Sequence, residues 1–166
     1  MQVINLSEHN SVLNQFLSEI RDVNIQKDPL RFRRNIERIG EFMAMEVSKV
    51  LNYRPTEVQT PLATATVNTI SDQLVLATIL RAGMPLHQGF LNIFDRAENA
   101  FLSAYRRENE KGELEIVAEY MAAPAIACGI YSPHFIFFCS SAACAFITSS
   151  LCSGLSSTFS FRDFMS

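Results

Sequence analysis

The spacing of apolar residues divides positions 1–127 into short, patterned elements and leaves positions 128–166 with no sustained period. Between residues 10 and about 22, Val12, Leu13, Phe16, Leu17 and Ile20 fall on one stripe, which predicts an amphipathic helix. A second helix is better bounded. Asp28 is a good N-cap and Pro29 suits the first helical position. Phe32, Ile36, Ile39, Met43, Val47 and Val50 then follow at spacings of 4, 3, 4, 4 and 3. This helix is expected to stop before Asn52-Tyr53-Arg54-Pro55, because Pro55 disfavours helix in its neighbour. Residues 58–60 read as a short strand ended by Pro61. Residues 65–70 and 73–80 read as a hairpin across Ser71-Asp72.

The run at 73–80 (Gln-Leu-Val-Leu-Ala-Thr-Ile-Leu) is almost continuously apolar, as a buried central strand reads. It stops at Arg81-Ala82-Gly83. Pro85 then sits where a helix starts, with Leu86, Phe90 and Phe94 at helical spacing behind it. A guanidinium and a glycine therefore lie between the carboxyl end of a strand and the amino end of a helix. In an open α/β sheet, ligands bind in that crevice. Helix N–H groups beside an Arg favour phosphate or pyrophosphate there. Further on, residues 100–105 read as a strand and 106–112 as a charged connection. Residues 113–120 alternate polar and apolar, a half-exposed strand antiparallel to its neighbour. The charged connection reads as a hairpin tip, with a lid as the alternative.

Composition changes sharply near Ala127-Cys128. All four cysteines (Cys128, Cys139, Cys144 and Cys152) and seven of the thirteen phenylalanines lie in the segment 128–166, which also holds ten serines. No Asp, Glu, Lys or Arg occurs between Glu119 and Arg162. The cysteine spacings of 11, 5 and 8 contain no Cys-x-x-Cys pair and make poor zinc geometry. The apolar run at 135–148 is about 14 residues and is diluted by serines, short of the roughly 20 that a membrane span needs. Membrane association is thus not expected. A net charge of −3 gives no footprint for nucleic acid. The basic group Arg31, Arg33, Arg34 and Arg38 is interleaved with Asp28, Glu37 and Glu41 and reads as a solvated helix face. The segment 1–25 lacks an uninterrupted apolar stretch of the secretory kind, so an intracellular enzyme is the simplest expectation.

The text Val-Leu-Ala-Thr-Ile-Leu-Arg-Ala-Gly from Val75 to Gly83, His87-Gln88-Gly89 and Ala104-Tyr105-Arg106 together resemble the uracil phosphoribosyltransferases. So do Arg31-Phe-Arg-Arg-Asn-Ile-Glu-Arg-Ile-Gly-Glu41 and Thr60-Pro61-Leu62. The resemblance runs from about residue 3 to residue 126. It implies an α/β fold: a phosphoribosyltransferase-like sheet with flanking helices, here incomplete, and two amino-terminal helices. It also implies a cytoplasmic pentosyltransferase of pyrimidine salvage. In that reaction uracil attacks the anomeric carbon of phosphoribosyl pyrophosphate, giving uridine monophosphate and pyrophosphate. Mg²⁺ is implied as the pyrophosphate complex, and a homo-oligomer is compatible with the family.

By the same resemblance, Arg81, Ala82 and Gly83 form the pyrophosphate loop, and Arg106, which matches a family position downstream of Arg81, is a second contact to phosphoribosyl pyrophosphate. His87 and Gln88 read as helix packing or surface polar residues. Two family segments find no counterpart: the acidic Pro-Met-Leu-Ala-Thr-Gly-type loop that holds ribose and 5′-phosphate, and the Gly-Asp-Phe-Gly text that grips uracil. After Ile126 there is no carboxylate until Asp163, and the text Ser160-Phe-Arg-Asp-Phe164 does not match. No uracil-binding residue, catalytic residue or metal ligand is therefore assigned. Residues 1–127 form the family-like region, and 128–166 an aberrant Ser/Phe/Cys-rich tail that suggests truncation or a shift of reading frame. The tail is expected not to continue the sheet. A non-catalytic phosphate-binding protein that associates through the tail is the alternative. A helix-rich assembly module built on residues 28–51 is a third reading.

Overall fold

The helical layer follows from two stripes and two small residues. A computed structural model describes residues 2–3, 5–108, 114–123, 134–139, 144–149 and 158–160 of the chain. Its first helix, α1 (Leu13–Arg21), buries Leu13, Leu17 and Ile20. The second, α2 (Pro29–Ser48), starts as its sequence demands: the Asp28 carboxylate accepts from the amides of Leu30 at 2.9 Å and Arg31 at 3.2 Å, and Pro29 occupies the first turn. Ile39, Met43 and Val47 of the expected stripe are buried, whereas Phe32 and Val50 at its ends remain exposed. The third helix, α3 (Met84–Ile93), crosses α2 where Gly40 meets Gly89. A Cβ on Gly40 would stand 2.7 Å from the Leu86 carbonyl, and one on Gly89 would overlap the Glu37 carbonyl. Glycine is needed at this crossing for close approach rather than for backbone freedom.

The strands are β1 (Gln2–Val3), β2 (Tyr53–Gln59), β3 (Thr64–Ile70), β4 (Leu74–Leu80), β5 (Glu98–Glu108), β6 (Leu114–Ala122), β7 (His134–Cys139), β8 (Cys144–Ser149) and β9 (Thr158–Ser160). One sheet runs in the order β1-β9-β8-β7-β4-β5-β6, with β4 parallel to both β5 and β7. A second sheet holds only β2 and β3 among the described residues. Leu74 and Leu76 of β4 join Ile136 of β7 and the buried residues of all three helices in the main core. Val75, Ala77 and Ala100 form a smaller cluster. This is the expected α/β arrangement, with two helices ahead of the central strands. As expected, β6 is antiparallel to β5.

Two expectations are corrected. The strands at 65–70 and 73–80 do not form a hairpin: β3 pairs with β2, and β4 lies in the other sheet. The turn falls at 60–63, where Thr60 and Ala63 hydrogen-bond across Pro61-Leu62. Ser71-Asp72 instead ties back to Asn52, whose amide donates to the Asp72 carboxylate at 2.6 Å while the Ser71 amide donates to the Asn52 carbonyl at 3.0 Å. The physical reason is burial: β4 is apolar on both faces and belongs inside a parallel sheet. The second correction concerns the tail. It contributes β7, β8 and β9 to the main sheet, and Ile136 is fully buried there. A run rich in aromatic and β-branched residues beside an open edge of β4 adds strands to it, whatever its origin. Of the charged connection expected at 106–112, residues 106–108 extend β5, and residues 109–112 lie outside the described residues. Among the described residues no helix is long and apolar enough to cross a membrane.

Candidate functional site

The turn at Arg81–Gly83 links the carboxyl end of β4 to the amino end of α3, as its sequence predicts. The Leu80–Arg81 peptide bond is cis. Gly83 caps α3 and is buried, whereas Arg81 and Ala82 are exposed. The turn is held by three backbone bonds: Gly83 N–H to the Ile79 carbonyl at 3.3 Å, Met84 N–H to the Arg81 carbonyl at 3.2 Å, and His87 N–H to the Gly83 carbonyl at 3.0 Å. Among the described residues no side chain caps the start of α3, and Pro85 brings no amide hydrogen. Gly83 has ordinary right-handed angles, φ −73° and ψ −11°. Its role is steric, since a Cβ there would overlap the Thr78 hydroxyl and come within 3.1 Å of the Ile79 carbonyl.

Electrostatically the turn suits an anion. The Arg81 side chain makes no ion pair or hydrogen bond among the described residues, so its guanidinium is available beside a helix amino terminus. In β5 the backbone of Ser103 pairs with Leu80, and Arg106 follows further along the strand, opposite Ile116 and beyond a register shift between Ser103 and Ala104. Arg81 and Arg106 are thus brought to the same end of adjacent parallel strands. The side chain of Arg106 lies outside the described residues. The donors at the turn are guanidinium and amide groups, which meet an anion and not a cation. Among the described residues, no cluster of three or more His, Cys, Asp or Glu side chains could hold a metal ion.

His87 and Gln88 separate cleanly. His87 is 3 % exposed, its Nε2 lies 2.8 Å from Asn99 Oδ1 on β5, and its ring packs at 5.3 Å from that of Phe101. Burial pulls its pKa below the ordinary value of 6.5, and the Asn99 contact opposes that shift in part. Gln88 is exposed and donates to Asn92 at 2.9 Å. Packing and surface roles are therefore what the structure gives them. Two residues near the turn escaped sequence reasoning. Asn99 is visible only once β5 lies beside α3. Thr78 carried a faint signal, as a hydroxyl within an otherwise apolar strand. A separate cavity of about 490 Å³ lies between the amino-terminal segment and α2, lined by Leu6, His9, Leu13, Phe42, Glu46 and Lys49 among others, and no residue of the turn borders it.

A strand–turn–helix junction at the carboxyl end of a parallel strand defines an α/β protein whose ligand crevice is expected at that junction. Comparison with known proteins narrows that class. The family profile for uracil phosphoribosyltransferase matches residues 6–124. The uracil phosphoribosyltransferase of Porphyromonas gingivalis is 54 % identical over 126 residues, which cover 76 % of this chain and 58 % of that protein. That of Methanothermobacter thermautotrophicus is 34 % identical over 119 residues, 70 % of this chain and 54 % of that protein. A solved structure, the AQ2163 protein of Aquifex aeolicus, shares the fold at a TM-score of 0.61 and 23 % identity, covering 74 % of this chain and 56 % of that one. The chain belongs to the uracil phosphoribosyltransferase family. It spans little more than half the length of these relatives.

Proposed function

We propose that these 166 residues carry the pyrophosphate half of a uracil phosphoribosyltransferase site and turn over uracil poorly. Arg81, with the backbone of Ala82 and Gly83, holds the pyrophosphate of phosphoribosyl pyrophosphate, and Arg106 is the second cation on the same ligand. A leaving pyrophosphate concentrates negative charge, so fixed cations and amides stabilise it most as its bond to the anomeric carbon breaks. Mg²⁺ arrives on the pyrophosphate as part of the substrate, since this ion keeps its waters and binds phosphates readily. The reading extends to a cytoplasmic role in pyrimidine salvage.

The observation that carries it is Arg81, unpaired among the described residues, at the junction of β4 and α3 and within the matched residues 6–124. Impaired turnover is supported by residues 127–166, none of which match the acidic, small-residue loop that would hold the ribose. Orientation of reactants contributes about 7–11 kcal/mol in favourable cases, and a site that grips only the leaving group forgoes most of it. Titration of Mg²⁺-pyrophosphate into the full chain tests the site. Binding that weakens with salt and drops about tenfold or more in Arg81→Ala is expected. Binding unchanged by that substitution would place the anion elsewhere.

A further inference from the structure

The face of β4 that looks toward the helices carries Leu74, Leu76 and then Thr78, so one hydroxyl interrupts an apolar stripe. Thr78 is 2 % exposed, and its Oγ1 has no hydrogen-bond partner among the described residues. Its register neighbours are Phe101 on β5 and Phe138 on β7, residue types without a polar side-chain atom. Valine would fill the same volume without leaving a buried hydroxyl unpaired. The hydroxyl lies directly beneath Gly83, close enough that a Cβ on that glycine would overlap it.

Above it, the Gly83 amide points inward to the Ile79 carbonyl through a long bond of 3.3 Å. The Ala82–Gly83 peptide is trans, so its N–H and C=O point in opposite directions. For the Gly83 amide to face an anion outside the turn, that peptide must rotate, and the Ala82 carbonyl then faces the interior. There it would be stranded unless a donor stood below. Thr78 Oγ1 is the polar side-chain atom under Gly83.

We propose that Thr78 is a positioning residue for the anion turn, its hydroxyl donating to the Ala82 carbonyl when the Gly83 amide swings outward to the ligand. The assignment rests on the pyrophosphate reading of the turn. Anion binding then satisfies a hydroxyl that is otherwise unpaired, which couples the two.

The test is calorimetric titration of Mg²⁺-pyrophosphate into the full chain carrying Thr78→Val or Thr78→Ser, with thermal midpoints measured alongside. Thr78→Val should bind about tenfold more weakly while its midpoint stays level or rises. Thr78→Ser should keep affinity within about twofold, because it retains the donor. Thr78→Ala serves in place of the valine variant if that one does not fold, with the same loss of affinity expected. Wild-type affinity in the valine or alanine variant overturns the assignment, as does a lowered midpoint with unchanged affinity, which marks a packing role alone. If the parent chain shows no Arg81-dependent binding, the pyrophosphate reading itself falls and takes the Thr78 assignment with it. Parent binding retained in the valine variant sinks Thr78 alone.

Discussion

Strands β3 and β4 are equally long and nearly adjacent in the chain, yet they occupy opposite environments. In β3 most positions are exposed, and Val67 in its middle is 48 % accessible. In β4 the first five residues are all buried, with Leu76 at 0 %. The difference lies in composition across both faces. Thr64, Thr66, Asn68 and Thr69 let β3 stand in water with one partner strand, stitched by the 2.7 Å contact between the hydroxyls of Thr56 and Thr69. Leu-Val-Leu-Ala leaves β4 no solvent-tolerant face, so it takes neighbours on both edges and a helix layer above. Placing the Arg81–Gly83 turn on β4 gives it a rigid base that the β2–β3 hairpin could not supply.

That contrast can be broken by mutation. Leu76→Ala should cost about 3 kcal/mol in chemical denaturation, because neighbouring side chains close only part of the cavity. Gly89→Ala should cost about 2 kcal/mol by forcing α2 and α3 apart at the seam over β4. A loss below about 0.5 kcal/mol there would mean that the helices do not cross as closely as described.

Acid probes the same helix layer more gently. Hydrogen bonds from Asn35, Gln15 and Arg31 lower the Glu19 pKa from 4.5 to about 2, and the fully buried Asn35 depends on that carboxylate at 2.7 Å. Because the folded value lies below the unfolded one, the stabilisation is complete above about pH 4.5 and fades as pH falls through about 2. Thermal midpoints of the parent chain should therefore decline across that window more steeply than those of Glu19→Gln. The smallest effect belongs to β3, where Val67→Ala should change stability by less than about 0.5 kcal/mol. Equal losses at Val67 and Leu76 would erase the distinction between the two strands.

Much of this was readable in the residues. Asp28-Pro29 announced the start of α2, and Arg81-Ala82-Gly83 before Pro85 announced the strand–turn–helix junction, because caps and turn residues act locally. Pairing partners were not readable. Whether Ser71-Asp72 makes a turn depends on Asn52, far back in the chain, and whether residues 134–139 join the sheet depends on an open edge of β4. The packing of His87 against Asn99 and the hydroxyl of Thr78 beneath Gly83 are likewise contacts between elements. No periodicity in a single segment records them.

The central proposal is that this chain binds pyrophosphate through Arg81, while the residues from 127 to 166 offer no match to the family's acidic ribose-phosphate loop. The most direct measurement is turnover of labelled uracil with phosphoribosyl pyrophosphate and Mg²⁺, comparing this chain with one in which the residues after Ile126 are replaced by a family-type segment carrying the acidic loop and the Gly-Asp-Phe-Gly text. The account predicts uridine monophosphate from the restored chain and little or none from this one, with both binding pyrophosphate through Arg81. Comparable turnover by the two would contradict it.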